Sequence, residues 1–489
     1  MKNLNRNYLR ILALGVVLSC SAGLFAQKSF ADGKVPEDNL KEIGVTPWTK
    51  QEKIYALSKF WMEAKRNFVY MDRVGHERWD SLYRSLIVPA IETSTDDEFS
   101  HLMLRFCGFL KDEHTSLSIN PDRMDYFFTT TWFSDDWGLN LEYVDGRIIV
   151  SEITKVKSGE VPLGSEIVAV NGIPIKDYYP LVMAEIPAST DRVRAKNAVY
   201  KLLRGTRYKC RDFTFRRPDG REVTATLRNE YLDYYRSTLK ILKYDGFLGS
   251  WTNEDFALKW YPGDIAYLKI GTFMPGNMEK KFEEAFPEIR KRAKKLIIDL
   301  RYNGGGSSIV AAHFMAHFLE GTSFSDGCWY TRSYNAAYAS WGARISPSDT
   351  IGNSENKEYY QNYHNQAMSE GGMNRFVFSS DYPRLIVPTA ILINYATCSS
   401  SENALVMTDG HTHITLIGEP TSGSTGNPVE YPIIPGITCH ICTKKDVYPD
   451  GREFVGKGIP PHIFVPETLR DLTEKTDRVL ERALKYLKK

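Results

Sequence analysis

Residues 385–420 read "LIVPTAILINYATCSSSENALVMTDGHTHITLIGEP". The opening run, "LIVPTAILIN", is continuously apolar rather than alternating, as a strand buried on both faces must be. "SENALVMTDG" then reads as a helix closing on a glycine, and "ITLIGEP" as a second short strand. Strand, helix and strand in that order make a β-α-β unit. Its first junction holds Ser399, Ser400 and Ser401 behind Thr397 and Cys398. Ser399 or Ser400 therefore heads a helix, where unpaired N–H groups and the helix dipole favour a developing negative charge. Ser399 and Glu402 also spell S-x-x-E, a capping box that accounts for the serine without any chemistry.

Upstream, the same alternation continues. "DIAYLKIGTF" is a strand, "MEKKFEEAFPEIRKRA" a helix, and "KLIIDL" a buried strand that runs into "RYNGGGSS". Residues 236–489 are thus expected to form an α/β domain. Within it, the aromatic-rich stretch from Gly321 to Gln366 is expected to be loops near a cleft or crossover. Residues 129–235 change to short alternating strands with glycine turns, "WGLNLEYVDGRIIVSEI", "PLGSEIVAVNGIPI" and "DFTFRRPDGREVTATL". Residues 46–128 read as helices: Thr49 with Glu52 makes a capping box, a second helix spans His76 to Glu92, and a third starts near "TSTDDE" and leads to "LKDEHTSL". The fold class expected is α+β and multidomain.

The N-terminus has a basic region, Lys2, Arg6 and Arg10, before the apolar "ILALGVVLSCSAGLFA". That run is short for a membrane span and reads as a signal peptide over 1–26, cleaved after Ala26 and followed by a linker over 27–45. Lipoprotein processing at Cys20 is the second reading, with Leu18 bulky for that signal. Either way the protein is exported, to the periplasm or beyond, with no integral span in the mature chain. Lys plus Arg number 62 against 60 Asp plus Glu, so no net field steers the chain toward nucleic acid. "CHIC" at Cys439 to Cys442 sits in an alternating stretch and reads as a plain strand. "HFMAH" (His313, His317) lacks the glutamate of a zinc protease motif, and "HTH" (His411 to His413) stands isolated, so neither a metal nor another cofactor is expected.

Two resemblances add to this reading. "LGSEIVAVNGIPI" is similar to the signature of a PDZ domain, and "WGLNLE" sits where such domains carry a carboxylate-binding loop, which implies that role for Gly138 and Leu139 and a polypeptide partner bound by its C-terminus. "IIDLRYNGGG" and "TCSSSENAL...LIGEPTSGS", in this order behind a PDZ-like segment, resemble the tail-specific, or C-terminal processing, serine peptidases. The resemblance covers nearly the whole mature chain and implies a ClpP/crotonase-like peptidase core. It makes Ser399 the nucleophile and Ser400 N–H one oxyanion donor, with Gly305 or Gly306 supplying the other. Bacterial members use a lysine in G-E-P-T-x-G-K; here that position is Ser424. The sequence resembles instead the tricorn core protease branch, whose base is a histidine before the PDZ-like domain, implying that role for His114. An imidazole accepts a proton near neutral pH without the desolvation a lysine base requires. Where the distal glutamate of that branch is expected the chain has Val455, with Glu453 close by, so Glu453, Glu113 and Asp112 are the candidates for orienting His114. The expected function is a serine endopeptidase acting on extended chains or C-terminal tails through an acyl-enzyme. The alternative is a catalytically impaired binding protein, since the interphotoreceptor retinoid-binding proteins resemble the same core and carry ligands.

Overall fold

The computed structural model describes residues 46–120, 137–204, 210–228, 241–243, 255–474 and 476–488. The expected signal peptide, Cys20 and the linker lie outside them. No helix of the described residues is long and apolar enough to cross a membrane. The fold is α+β with several sheets.

Its centre is a six-stranded sheet in the spatial order Ile463–Phe464, Ile414–Gly418, Thr389–Ile393, Lys295–Asp299, Ile265–Ile270, Phe256–Tyr261. Only the last strand runs antiparallel to its neighbour. Thr389–Ile393 is buried at every position, which is why its sequence shows no alternation. Leu296 stands opposite Thr389, and Thr389 opposite Ile414, so the two β-α-β strands predicted from sequence are adjacent and parallel. The helix Asn277–Arg292 turns Met278, Phe282, Phe286 and Ile289 inward, a helical stripe of the kind that seals a sheet face.

The N-terminal helices Lys50–Asn67, His76–Glu92 and Asp96–Gly108 form as predicted, the first with its Thr49/Glu52 capping box. They share one apolar core with the α/β layer: Phe60, Trp79 and Phe106 belong to the same buried cluster as Ile298, Ile391 and Leu405. Covalent continuity then becomes sheet continuity, because Ser116–Ile119 pairs antiparallel with Ile437–Cys442, Ser116 opposite His440. Backbone Cys442 N–H also donates to Thr115 Oγ1 at 3.0 Å. These bonds fix residue 114, immediately upstream, against the α/β layer. "CHIC" is part of that strand, and the six described cysteines are free.

Residues 137–228 build a second, antiparallel sheet, Asn140–Val144, Arg147–Thr154, Glu166–Val170, Cys210–Arg216 and Glu222–Arg228. It has a core of its own around Leu141, Val150, Ile167, Phe213 and Phe215. The insert within it forms two helices, Ile175–Met183 and Asp191–Leu202. Lys196 from the second reaches Glu467 at 2.5 Å and ties this sheet to the C-terminal part of the chain.

One expectation is corrected. The stretch from Gly321 to Gln366 is not all loop: it holds the strand Cys328–Arg332 and the helices Ala336–Gly342 and Ser354–Tyr363. Each helix starts on an asparagine, Asn335 and Asn353, whose side chain accepts from backbone N–H groups of the first turn. Such brief segments, each burying a single residue, leave too little periodicity to read.

Candidate active site

Ser399 lies at the end of the strand Thr389–Ile393, directly before the helix Ser400–Val406. Its φ of 57° and ψ of −125° place a non-glycine residue in left-handed backbone. Such geometry costs about 1–3 kcal/mol and persists only where the surroundings impose it. Here Cys398 N–H donates to Asn303 O at 3.1 Å and Ser399 N–H to Ser424 O at 2.9 Å, clamping the turn from two sides. The S-x-x-E capping box does not form: Ser399 makes no side-chain cap bond. Its Oγ is thereby left for other partners.

His114 meets it. Nε2 stands 3.2 Å from Ser399 Oγ, and Nδ1 stands 2.8 Å from Ser424 Oγ. For Nε2 to accept from the serine hydroxyl, Nδ1 must carry the proton and donate to Ser424. Burial pushes His114 down to about 4, so the ring is neutral at neutral pH, the form a base needs. Room for it comes from Gly426, where a Cβ would lie 2.5 Å from Cys442 Sγ and 3.2 Å from His114 Cβ.

Glu402, freed from capping, turns to the 421–424 turn. Its carboxylate accepts Gly423 N–H and Ser424 N–H at 2.8 Å each and Thr421 Oγ–H at 2.5 Å. Burial pushes Glu402 up to about 7 against the pull of these donors. Glu402 thus positions Ser424, which in turn contacts both Ser399 and His114. The three carboxylates expected to orient His114 are elsewhere. Glu453 pairs with Lys445 at 2.5 Å and with Arg73 at 3.4 Å. Glu113 accepts from Ser422 Oγ at 2.5 Å, and Asp112, raised to about 7 by burial, accepts from Ser189 Oγ at 3.5 Å. The position that lacks the lysine is the one that holds the histidine.

In the glycine loop, Gly305 N–H is already given to Asn303 Oδ1 at 2.9 Å, which removes Gly305 as an oxyanion donor. Gly305 serves instead by having no side chain. A Cβ there would lie 2.7 Å from Ser399 Cβ and 2.8 Å from Ser400 N. Gly306 N–H has no acceptor among the described residues, and Ser400 N–H, in the first helical turn, has no intrahelical one. Gly306, Ser399 and Ser400 line one cavity of about 460 Å³ with Trp329, Asn374 and Lys444. Sequence reasoning missed Asn303, whose Nδ2 donates to Ile270 O at 3.1 Å while its Oδ1 holds the loop. Its place directly before the three glycines was the available signal. Gly138 and Leu139 are buried beside the start of the strand Asn140–Val144, and residues 121–136 before them lie outside the described ones.

Residues 264–465 match the model of Peptidase family S41. The match contains Ser399, Glu402, Ser424 and the glycine loop, and His114 lies upstream of it. Among solved structures, mature CPAF complexed with lactacystin is similar at 14% identity over 89% of this chain and 97% of that one, with a TM-score of 0.63. Mature CPAF is similar at 15% identity over 90% and 96%, with a TM-score of 0.61. A putative peptidase from Parabacteroides merdae aligns at 15% identity over 90% and 97%, with a TM-score of 0.49. No curated protein matches the chain in sequence.

Proposed function

We propose, from the match of residues 264–465 to the model of Peptidase family S41, that the chain is an exported serine endopeptidase in which Ser399 is the nucleophile and His114 its base. The observation that carries this reading is the run of contacts from Ser399 Oγ to His114 Nε2 and from His114 Nδ1 to Ser424 Oγ. Ser399 Oγ attacks the scissile carbonyl carbon while its proton passes to His114 Nε2. Gly306 N–H and Ser400 N–H receive the oxyanion that forms. The C–N bond breaks as His114 returns the proton to the leaving amine, which leaves an acyl-Ser399 ester. Water then gives a proton to His114 and attacks the ester; the C–Oγ bond breaks as His114 passes that proton to Ser399 Oγ, releasing the new carboxyl end and restoring Ser399–OH.

This reading follows the histidine base that the sequence resemblance to the tricorn-like branch implies, with Ser424 in place of a charged orienting group. Export is supported by the basic and apolar N-terminal segment. Polypeptide ends are the substrate class favoured by the PDZ-like sequence signature and the antiparallel sheet with its own core. His114 makes no hydrogen bond to a carboxylate among the described residues, and that observation favours a second reading, a ligand-binding protein on the same scaffold.

Incubation with an unfolded polypeptide, read by mass spectrometry, separates the two. The endopeptidase reading predicts new carboxyl termini with the wild type and none with Ser399→Ala. Intact substrate with both proteins would favour the binding protein.

A further inference from the structure

The motif that catalysis leaves unused is "HTH", His411 to His413, isolated in sequence. The fold brings it a third donor. The segment that follows the helix Ser308–Ala316 reaches Glu320, and one donor atom from each of Glu320, His411 and His413 lies within 4.8 Å of the others. Ligand bonds of about 2 Å are within reach of side-chain rotation, for which exposed Glu320 is free.

His413 is arranged as a ligand. Its Nε2 stands 2.9 Å from the carbonyl oxygen of Phe318. A carbonyl only accepts, so Nε2 carries the proton and Nδ1 the lone pair. That Nδ1 is buried and has no hydrogen-bond partner among the described residues. A ring whose other N–H is fixed by a backbone carbonyl is the usual second shell of a metal-bound histidine.

We propose that Glu320, His411 and His413 form a divalent transition-metal site. Two imidazoles and one carboxylate suit zinc and its neighbours rather than magnesium or calcium, which take oxygen shells. Its position gives it a task. The helix Ser308–Ala316 starts at the glycine loop and the helix Ser400–Val406 starts at Ser399, while Glu320 and His411 lie beyond their far ends. A metal there staples together the two helices whose first turns frame the cavity at Ser399. It acts on stability and takes no part in peptide chemistry.

The test is zinc chloride titrated into the metal-stripped full chain, followed by calorimetry and thermal unfolding, with magnesium chloride as the comparison. Expected are a single zinc per chain and a higher Tm with zinc but not magnesium. Glu320→Gln, a surface change that spares the fold, and His413→Ala should each weaken zinc by more than about tenfold, the range that even second-shell partners carry. Ser399→Ala should bind zinc as the wild type does. Equal zinc binding by wild type, Glu320→Gln and the His411→Ala/His413→Ala pair would overturn the site, as would an equal response to magnesium or no binding by the wild type.

Discussion

At the scale of single residues, the site depends on where protons sit. His114 must be neutral to accept from Ser399, and burial lowers its folded pKa to about 4. The base is therefore active above that value and lost as pH falls through it. The acid limb of kcat/KM should have its midpoint near pH 4, rather than at the ordinary histidine value of about 6.5. A pH–rate profile with its acid limb at 6.5 would mean that the ring is solvated in the working enzyme. Ser424 offers His114 Nδ1 a neutral hydrogen bond worth about 1 kcal/mol. Ser424→Ala should then lower kcat roughly five- to tenfold with little change in KM, measured on a peptide substrate. A larger loss would show that Ser424 carries more than orientation. The sequence named His114 through the family resemblance but not its contact with Ser424: the missing lysine pointed away from that position, yet the turn held by Glu402 aims the serine at the ring. The carboxylates that looked suitable in sequence, Glu113 and Glu453, are drawn off by nearer donors. Such pairings are set by turn geometry, which local composition does not encode.

At the scale of elements, the glycine loop and the strand-to-helix turn are fitted to each other. Gly305 has a φ of 97° and no room for a Cβ beside Ser399 and Ser400. Gly305→Ala should abolish cleavage and destabilise the fold by about 1–3 kcal/mol, visible as a lower Tm. Near-normal activity in that variant would refute the close approach. Gly423 N–H and Ser424 N–H donate to different oxygens of Glu402, so Glu402→Gln keeps an acceptor for one and puts an amide NH₂ against the other. Loss of a buried acceptor costs about 1–3 kcal/mol, so this variant should unfold at lower denaturant concentration. Elements with strong periodicity were readable, such as the helices His76–Glu92 and Asn277–Arg292. The short helices Ala336–Gly342 and Ser354–Tyr363 were not, because their faces are mixed and their asparagine caps resemble loop residues.

At the scale of the whole molecule, the candidate nucleophile and base lie 285 residues apart in the chain and are joined by a shared core and one sheet edge. The N-terminal helices are therefore part of the packed body that holds the candidate site. A chain beginning at residue 121 would lack both His114 and the N-terminal helices' share of the buried cluster, and it should be insoluble or lack cooperative unfolding. The sheet of residues 137–228, with its separate core, should by contrast show its own pattern of hydrogen-exchange protection. Equal, fully coupled protection across both cores would contradict that division. The central claim, that Ser399 is a nucleophile activated by His114, is tested most directly by intact-mass measurement after treatment with a serine-directed fluorophosphonate. The wild type should gain a single adduct on Ser399, with Ser399→Ala and His114→Ala unlabelled; equal labelling of all three, or none of the wild type, would contradict it.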